Sequence, residues 1–263
     1  MRLLRSIRLI MSVSTVIVTI LALISYYLCY HYEVYSEFPM TLIGIAVVFP
    51  IVFSISGAYK RRETALNHYG TIKAFGRAIF LANRDWLPNR DTKKEKELKK
   101  LLQENLAECR EMFHRRKEEM DEHEKKIYEN FSNLSLFIKG FRDRGMGSSE
   151  VSRCNQYLSK MMAAFESMKH IYQYRTPMGL RAYSKVFVHT LPILYGPYFA
   201  HLANDQVLDN GLNPYIVMVM PVLFALVLVG LDNIQDHLEN PFDLVGEDDV
   251  KINAEKFIER LGA

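Results

Sequence analysis

The chain has 263 residues, 49% of them hydrophobic and 24% charged, with a formal net charge of +3. So small a net charge gives no footing for nucleic acid as a partner. Cys29, Cys109 and Cys154 are odd in number and far apart, with no CxxC and no His at ligand spacing, so neither a disulfide framework nor a zinc site is suggested. The averages also hide two populations, nearly uncharged stretches and a highly charged middle, so the class has to be read segment by segment.

Leu9 to Tyr30 is a run of 22 residues without Asp, Glu, Lys or Arg. At ~1.5 Å rise per residue it is long enough to cross a hydrocarbon core of about 30 Å. It ends in Tyr26-Tyr27-Leu28-Cys29-Tyr30 instead of the small residues of a cleavage site, which favours a span over a signal peptide. Phe38 to Tyr59 is a second uncharged run of 22, interrupted by Pro50 and leading into Lys60-Arg61-Arg62. Together the two predict a membrane hairpin over residues 1–59.

Residues 60–185 read as helical, with loops expected at Leu87-Pro88-Asn89 and Gly145-Met146-Gly147. Lys93 to Lys126 holds eleven Lys or Arg and ten Asp or Glu. Leu98, Leu101, Leu102, Asn105, Leu106, Cys109, Met112 and Phe113 recur there at helical spacing, which predicts one amphipathic helix laced with salt bridges. Met161, Met162, Phe165, Met168 and Tyr172 follow the same period and suit core packing.

Residues 186–231 read as a second membrane hairpin. Its first half, Val186 to Asn204, carries His189, Pro192, Pro197 and His201, a content suited to a bundle interior or a water-lined face. Its second half, Gly211 to Leu231, is strongly apolar. Arg2, Arg5 and Arg8 precede the first span and Lys60, Arg61 and Arg62 follow the second, which places both flanks in the cytoplasm. Residues 232–263 form an acidic cytoplasmic tail with nine Asp or Glu against three Lys or Arg. No GxSxG, HExxH or P-loop motif is present, so an enzyme is not expected.

Three stretches resemble the bestrophin anion-channel family. Phe49-Pro50-Ile51-Val52-Phe53-Ser54-Ile55-Ser56-Gly57 is similar to that family's pore neck. Tyr59 to Tyr69, followed by Phe75-Gly76, resembles the segment after the neck, where family members have a Trp-Gly pair. Asn240-Pro241-Phe242, followed by Gly246-Glu247-Asp248-Asp249, resembles the signature after the last span. Phe75 stands in place of Trp, Gly57 in place of a third bulky neck residue, and Asp243-Leu244-Val245 is inserted before Gly246.

The resemblance implies an all-α membrane protein with four transmembrane helices and a large helical cytoplasmic region, assembled as a ring, a pentamer in this family, around a central pore for chloride or other monovalent anions. Phe49, Pro50, Phe53 and Gly57 would form the neck, with the helix broken at Pro50 and free backbone amides turned toward the pore. A second constriction would come from Met146 to Val151, with Met146, Ser149 and Val151 as candidates. Glu247, Asp248 and Asp249 would form a Ca²⁺ site. No other cofactor is implied; the partners are further copies of the chain, membrane lipids and inorganic anions. The alternative is a membrane-anchored helical scaffold or sensor that does not conduct, and a carrier also fits midplane Pro and Gly.

Overall fold

The computed structural model describes residues 11–37, 39–114, 120–174, 176–210, 214–244 and 249–261. In chain order its helices are α1 Val13–His31, α2 Met40–Asp85, α3 Thr92–His114, α4 Met120–Lys139, α5 Ser148–Gln173, α6 Met178–Leu194, α7 Gly196–Asn210, α8 Pro214–Val217, α9 Val219–Glu239 and α10 Ala254–Glu259. No strand occurs among the described residues. Two compact units emerge: Met1–Lys60 with Thr176–Glu239, and Arg61–Arg175 with Asn240–Ala263.

In the first unit, α1 opens on a capping box in which the Ser12 hydroxyl accepts from the Thr15 amide at 3.2 Å and Thr15 Oγ1 accepts from the Ser12 amide at 3.1 Å. Thr15, Val18, Ala22 and Tyr26 recur every three or four residues and are buried. The outward stripe is equally apolar, with Val13, Ile17, Ile20, Ile24 and Leu28 exposed. A helix that is apolar all round suits hydrocarbon on its outer side. Helices α1, α2 and α9 are long and apolar enough to cross a membrane. From α9, Asn233 Nδ2 donates to Thr15 Oγ1 of α1 at 3.0 Å.

The stretch expected as a third span is not one helix. It divides at Tyr195 into α6 and α7, of 17 and 15 residues, each shorter than the ~20 a spanning helix needs. Pro197 has no amide hydrogen, so the Ile193 carbonyl cannot receive its i+4 bond. The Ser25 hydroxyl of α1 donates to that carbonyl at 2.7 Å instead. Such close approach requires glycine at the junction, because a Cβ at Gly196 would lie 2.2 Å from Ser25 Oγ and 3.0 Å from the Ser25 carbonyl carbon. One face of the pair is buried through Val188, Leu191, Pro192, Tyr195, Phe199, Ala200 and Ala203.

The second unit is a helical bundle. Ala65, Tyr69, Ile72, Gly76, Ile79 and Phe80 line the buried side of α2, facing Leu98, Leu102, Leu106, Cys109 and Phe113 of α3 and Val151, Cys154, Leu158, Met161, Phe165 and Met168 of α5. The single helix expected over Lys93 to Lys126 is instead two, α3 and α4, packed on each other. In the sequence the apolar stripe lapses between Phe113 and Met120, where the residues are His-Arg-Arg-Lys-Glu-Glu. A His123 Nδ1 to Glu108 Oε2 contact of 2.8 Å joins the two helices. Burial pushes the Cys109 thiol up, and that of Cys154 up to about 11, so both stay protonated and serve as packing. At Gly145, φ is +90° and Pro88 Cγ would meet a Cβ at 3.3 Å, so the two sequence-predicted loops touch there.

Candidate functional site

The membrane part of α2 has two unlike faces. Val47, Ile51, Ser54 and Ala58 are buried, whereas Ile45, Phe49, Val52, Phe53 and Tyr59 are exposed. Phe49 and Phe53 are each 60% exposed, and their rings meet edge to face with centroids 4.7 Å apart and planes at 79°. Aromatic ring edges carry partial positive charge, so this stripe is apolar yet mildly attractive to anions. Gly57, one turn beyond Phe53, adds no side chain to it.

The break expected at Pro50 does not occur. Residues Met40–Asp85 form one helix with Pro50 inside it. Pro50 deprives only the Ala46 carbonyl of an i+4 donor, and the buried neighbours Val47 and Ile51 hold the turn in place. Free amides are therefore not turned outward at Pro50 or Gly57.

Met146 and Val151 are buried in the core of the second unit, the Met146 amide donating to the Phe141 carbonyl at 3.0 Å. Ser149, in the first turn of α5, is exposed. Glu247 and Asp248 lie outside the described residues. Asp249 is half-buried, beside Val250, whose amide donates to the Pro241 carbonyl at 2.8 Å. That bond closes the segment on itself. Its anchor is Phe242, fully buried and stacked on Phe113 with centroids 4.6 Å apart and planes at 14°. Asn240 caps the turn, its Oδ1 accepting from the Phe242 amide at 3.3 Å.

Three polar clusters in the first unit have no signal in the sequence. Glu239, buried at the end of α9, accepts from both the amide and the hydroxyl of Thr176 at 2.8 Å each. Asp236 pairs with Lys185 at 3.1 Å and Arg181 at 3.5 Å. His201 Nε2 lies 3.2 Å from Glu37 and 3.3 Å from Asp205. All but the last contact join residues more than fifty positions apart, beyond the reach of any local pattern. His189 bonds through Nδ1 to the Lys185 carbonyl of its own helix at 2.7 Å.

Solved structures share the overall fold. A variant of a bacterial bestrophin homologue from Klebsiella pneumoniae superposes with a TM-score of 0.77 at 17% identity, covering 98% of this chain and 100% of that one. The homologue phased on zinc also scores 0.77, at 16% identity, over 94% of this chain and 96% of that one. The chain has the bestrophin fold. No family model and no curated protein matches the sequence. The bestrophin fold therefore survives here where sequence likeness has nearly gone. The Asn-Pro-Phe turn and the buried α2 stripe have a packing role visible in the chain itself.

Proposed function

We propose that the protein is a bestrophin-like channel passing chloride or other monovalent anions along the exposed aromatic stripe of α2. The observation that carries this reading is the edge-to-face pair of Phe49 and Phe53, open on a helix whose opposite face is buried. Several subunits arranged about an axis would bring such pairs into a ring, an apolar constriction that sheds water readily and whose ring edges ease the entry of an anion. One subunit cannot enclose that path, so the working unit is a symmetric ring, five subunits by the family resemblance. The segment Met146 to Val151 supplies a second constriction, with Ser149 as its accessible side chain.

Four passes, made by α1, the first part of α2, the α6–α7 pair and α9, leave both termini and the second unit in the cytoplasm. The ion-pair clusters support matching ends: Glu37, after α1, meets His201 of α7, which also contacts Asp205 of the same helix, while Asp236 of α9 meets Arg181 and Lys185 of α6. Glu247, Asp248 and Asp249 offer the hard oxygen donors that Ca²⁺ prefers and are its candidate ligands, a gating site next to the Phe242 anchor.

The test is flux from proteoliposomes holding the purified chain. Chloride efflux should persist when the cation is replaced by a bulky organic one and stop when chloride is replaced by a large organic anion. Phe53→Ala should raise that efflux severalfold without loss of assembly. A folded, reconstituted protein that passes neither ion sign would sink the channel reading and leave the non-conducting scaffold.

A further inference from the structure

In the second unit, α2 and the C-terminal segment enclose a groove of about 660 Å³, lined by Lys73, Arg77, Lys251, Lys256 and Arg260 over a floor that includes Tyr69 and Phe257. Five cations and no carboxylate share this lining. The charges come from helix geometry: Lys73 and Arg77 are one turn apart on α2, and Lys256 and Arg260 are one turn apart along and just past α10. The acidic residues of α10 fall elsewhere, Glu255 being held by Arg110 of α3 at 3.0 Å. Among the described residues none of the five cations forms an ion pair. Lys73 is the most enclosed of the five, its ammonium 4.3 Å from the Tyr69 ring centroid. Burial, then Arg77 and Arg260, lower its pKa.

Like charges one turn apart repel, and here two such pairs and a fifth cation face one cavity. A lining that gathers five cations and no carboxylate attracts an anion. A single chloride would match one or two of these groups. Five, two of them arginines, match clustered phosphates, for which Arg supplies paired donors and Lys a point charge. The volume is that of a small-molecule site.

We propose that this groove binds a small ligand carrying two or more phosphate groups, independently of whether the protein conducts. The full chain in detergent at low salt is titrated calorimetrically with inorganic triphosphate, and separately with phosphatidylcholine vesicles containing phosphatidic acid. Triphosphate should bind saturably, once per subunit, and weaken with added salt. Lys73→Gln with Arg260→Gln should weaken binding about tenfold or more, as expected for losing two charge-assisted contacts. Without ligand, that variant should melt no lower than the wild type, because repulsion has been relieved, so that lost binding is not lost folding. Arg77→Gln with Lys251→Gln should give the same loss and decides the matter if the first variant folds poorly. Binding to the vesicles and not to triphosphate, abolished by the same substitutions, would assign the phosphates to a lipid headgroup. Absence of binding to either probe, or binding unchanged in both folded variants, overturns the proposal.

Discussion

Two residues carry more of this fold than their size suggests. Ser25 and Gly196 meet where α6 gives way to α7, the serine hydroxyl replacing the amide that Pro197 lacks. Gly196→Ala would drive a methyl into the Ser25 backbone, and the expected destabilisation is about 1–3 kcal/mol, the usual scale of overpacking. Ser25→Ala removes only the hydrogen bond and should cost about 1 kcal/mol. Melting in detergent should therefore rank wild type above Ser25→Ala above Gly196→Ala; the reverse order of the two variants would mean that the contact is loose. Phe242 is the counterpart in the second unit, buried between Phe113 and Tyr172. Phe242→Ala should lower stability by about 3–5 kcal/mol, on the scale of emptied aromatic sites. Retained stability there would show that the Asn-Pro-Phe turn is not a packing anchor.

Among the elements, α2 runs from an apolar first part to a charged second part in 46 residues, keeping Pro50 inside an unbroken helix. Proline in a helix interior costs about 3 kcal/mol relative to alanine. Pro50→Ala should accordingly raise the melting temperature, and a change in ion flux alongside it would mark Pro50 as a residue kept for the shape of the neck. A lower melting temperature would mean that the local backbone has adapted to the ring. The segment after α9 poses a different question. If Asp248 and Asp249 hold Ca²⁺, current should respond to calcium in the wild type and lose that response in Asp248→Ala and Asp249→Ala. Current indifferent to both calcium and the substitutions would leave the segment to its structural work, closing on Pro241 through the Val250 amide.

For the molecule as a whole, the exposed stripe Phe49, Val52, Phe53 and the outward apolar face of α1 cannot both be explained by water. On the proposed channel reading, lipid covers one and neighbouring copies around a pore cover the other. Light scattering in detergent should give the mass of a ring, five chains by the family resemblance. A stable monomer would defeat both the ring and the channel.

Sequence alone determined the long-period features. Uncharged runs announce membrane helices because buried backbone in hydrocarbon tolerates little else, and the period of Leu98, Leu102, Leu106 and Phe113 announces a buried face. That Phe49 and Phe53 share one face was legible because residues four apart on a helix do so whatever surrounds them. Tertiary structure decided what depends on a distant partner. The α6–α7 break is local in its prolines but is stabilised by Ser25, 168 residues from Ile193. Pro50, by contrast, breaks nothing, since its neighbours are packed. The tail that counts as acidic in sequence contributes Lys251, Lys256 and Arg260 to a cationic groove, because a short helix sorts its charges by side and α2 supplies the rest. Composition sums charges along the chain, whereas a binding surface depends on which of them the fold turns to the same place.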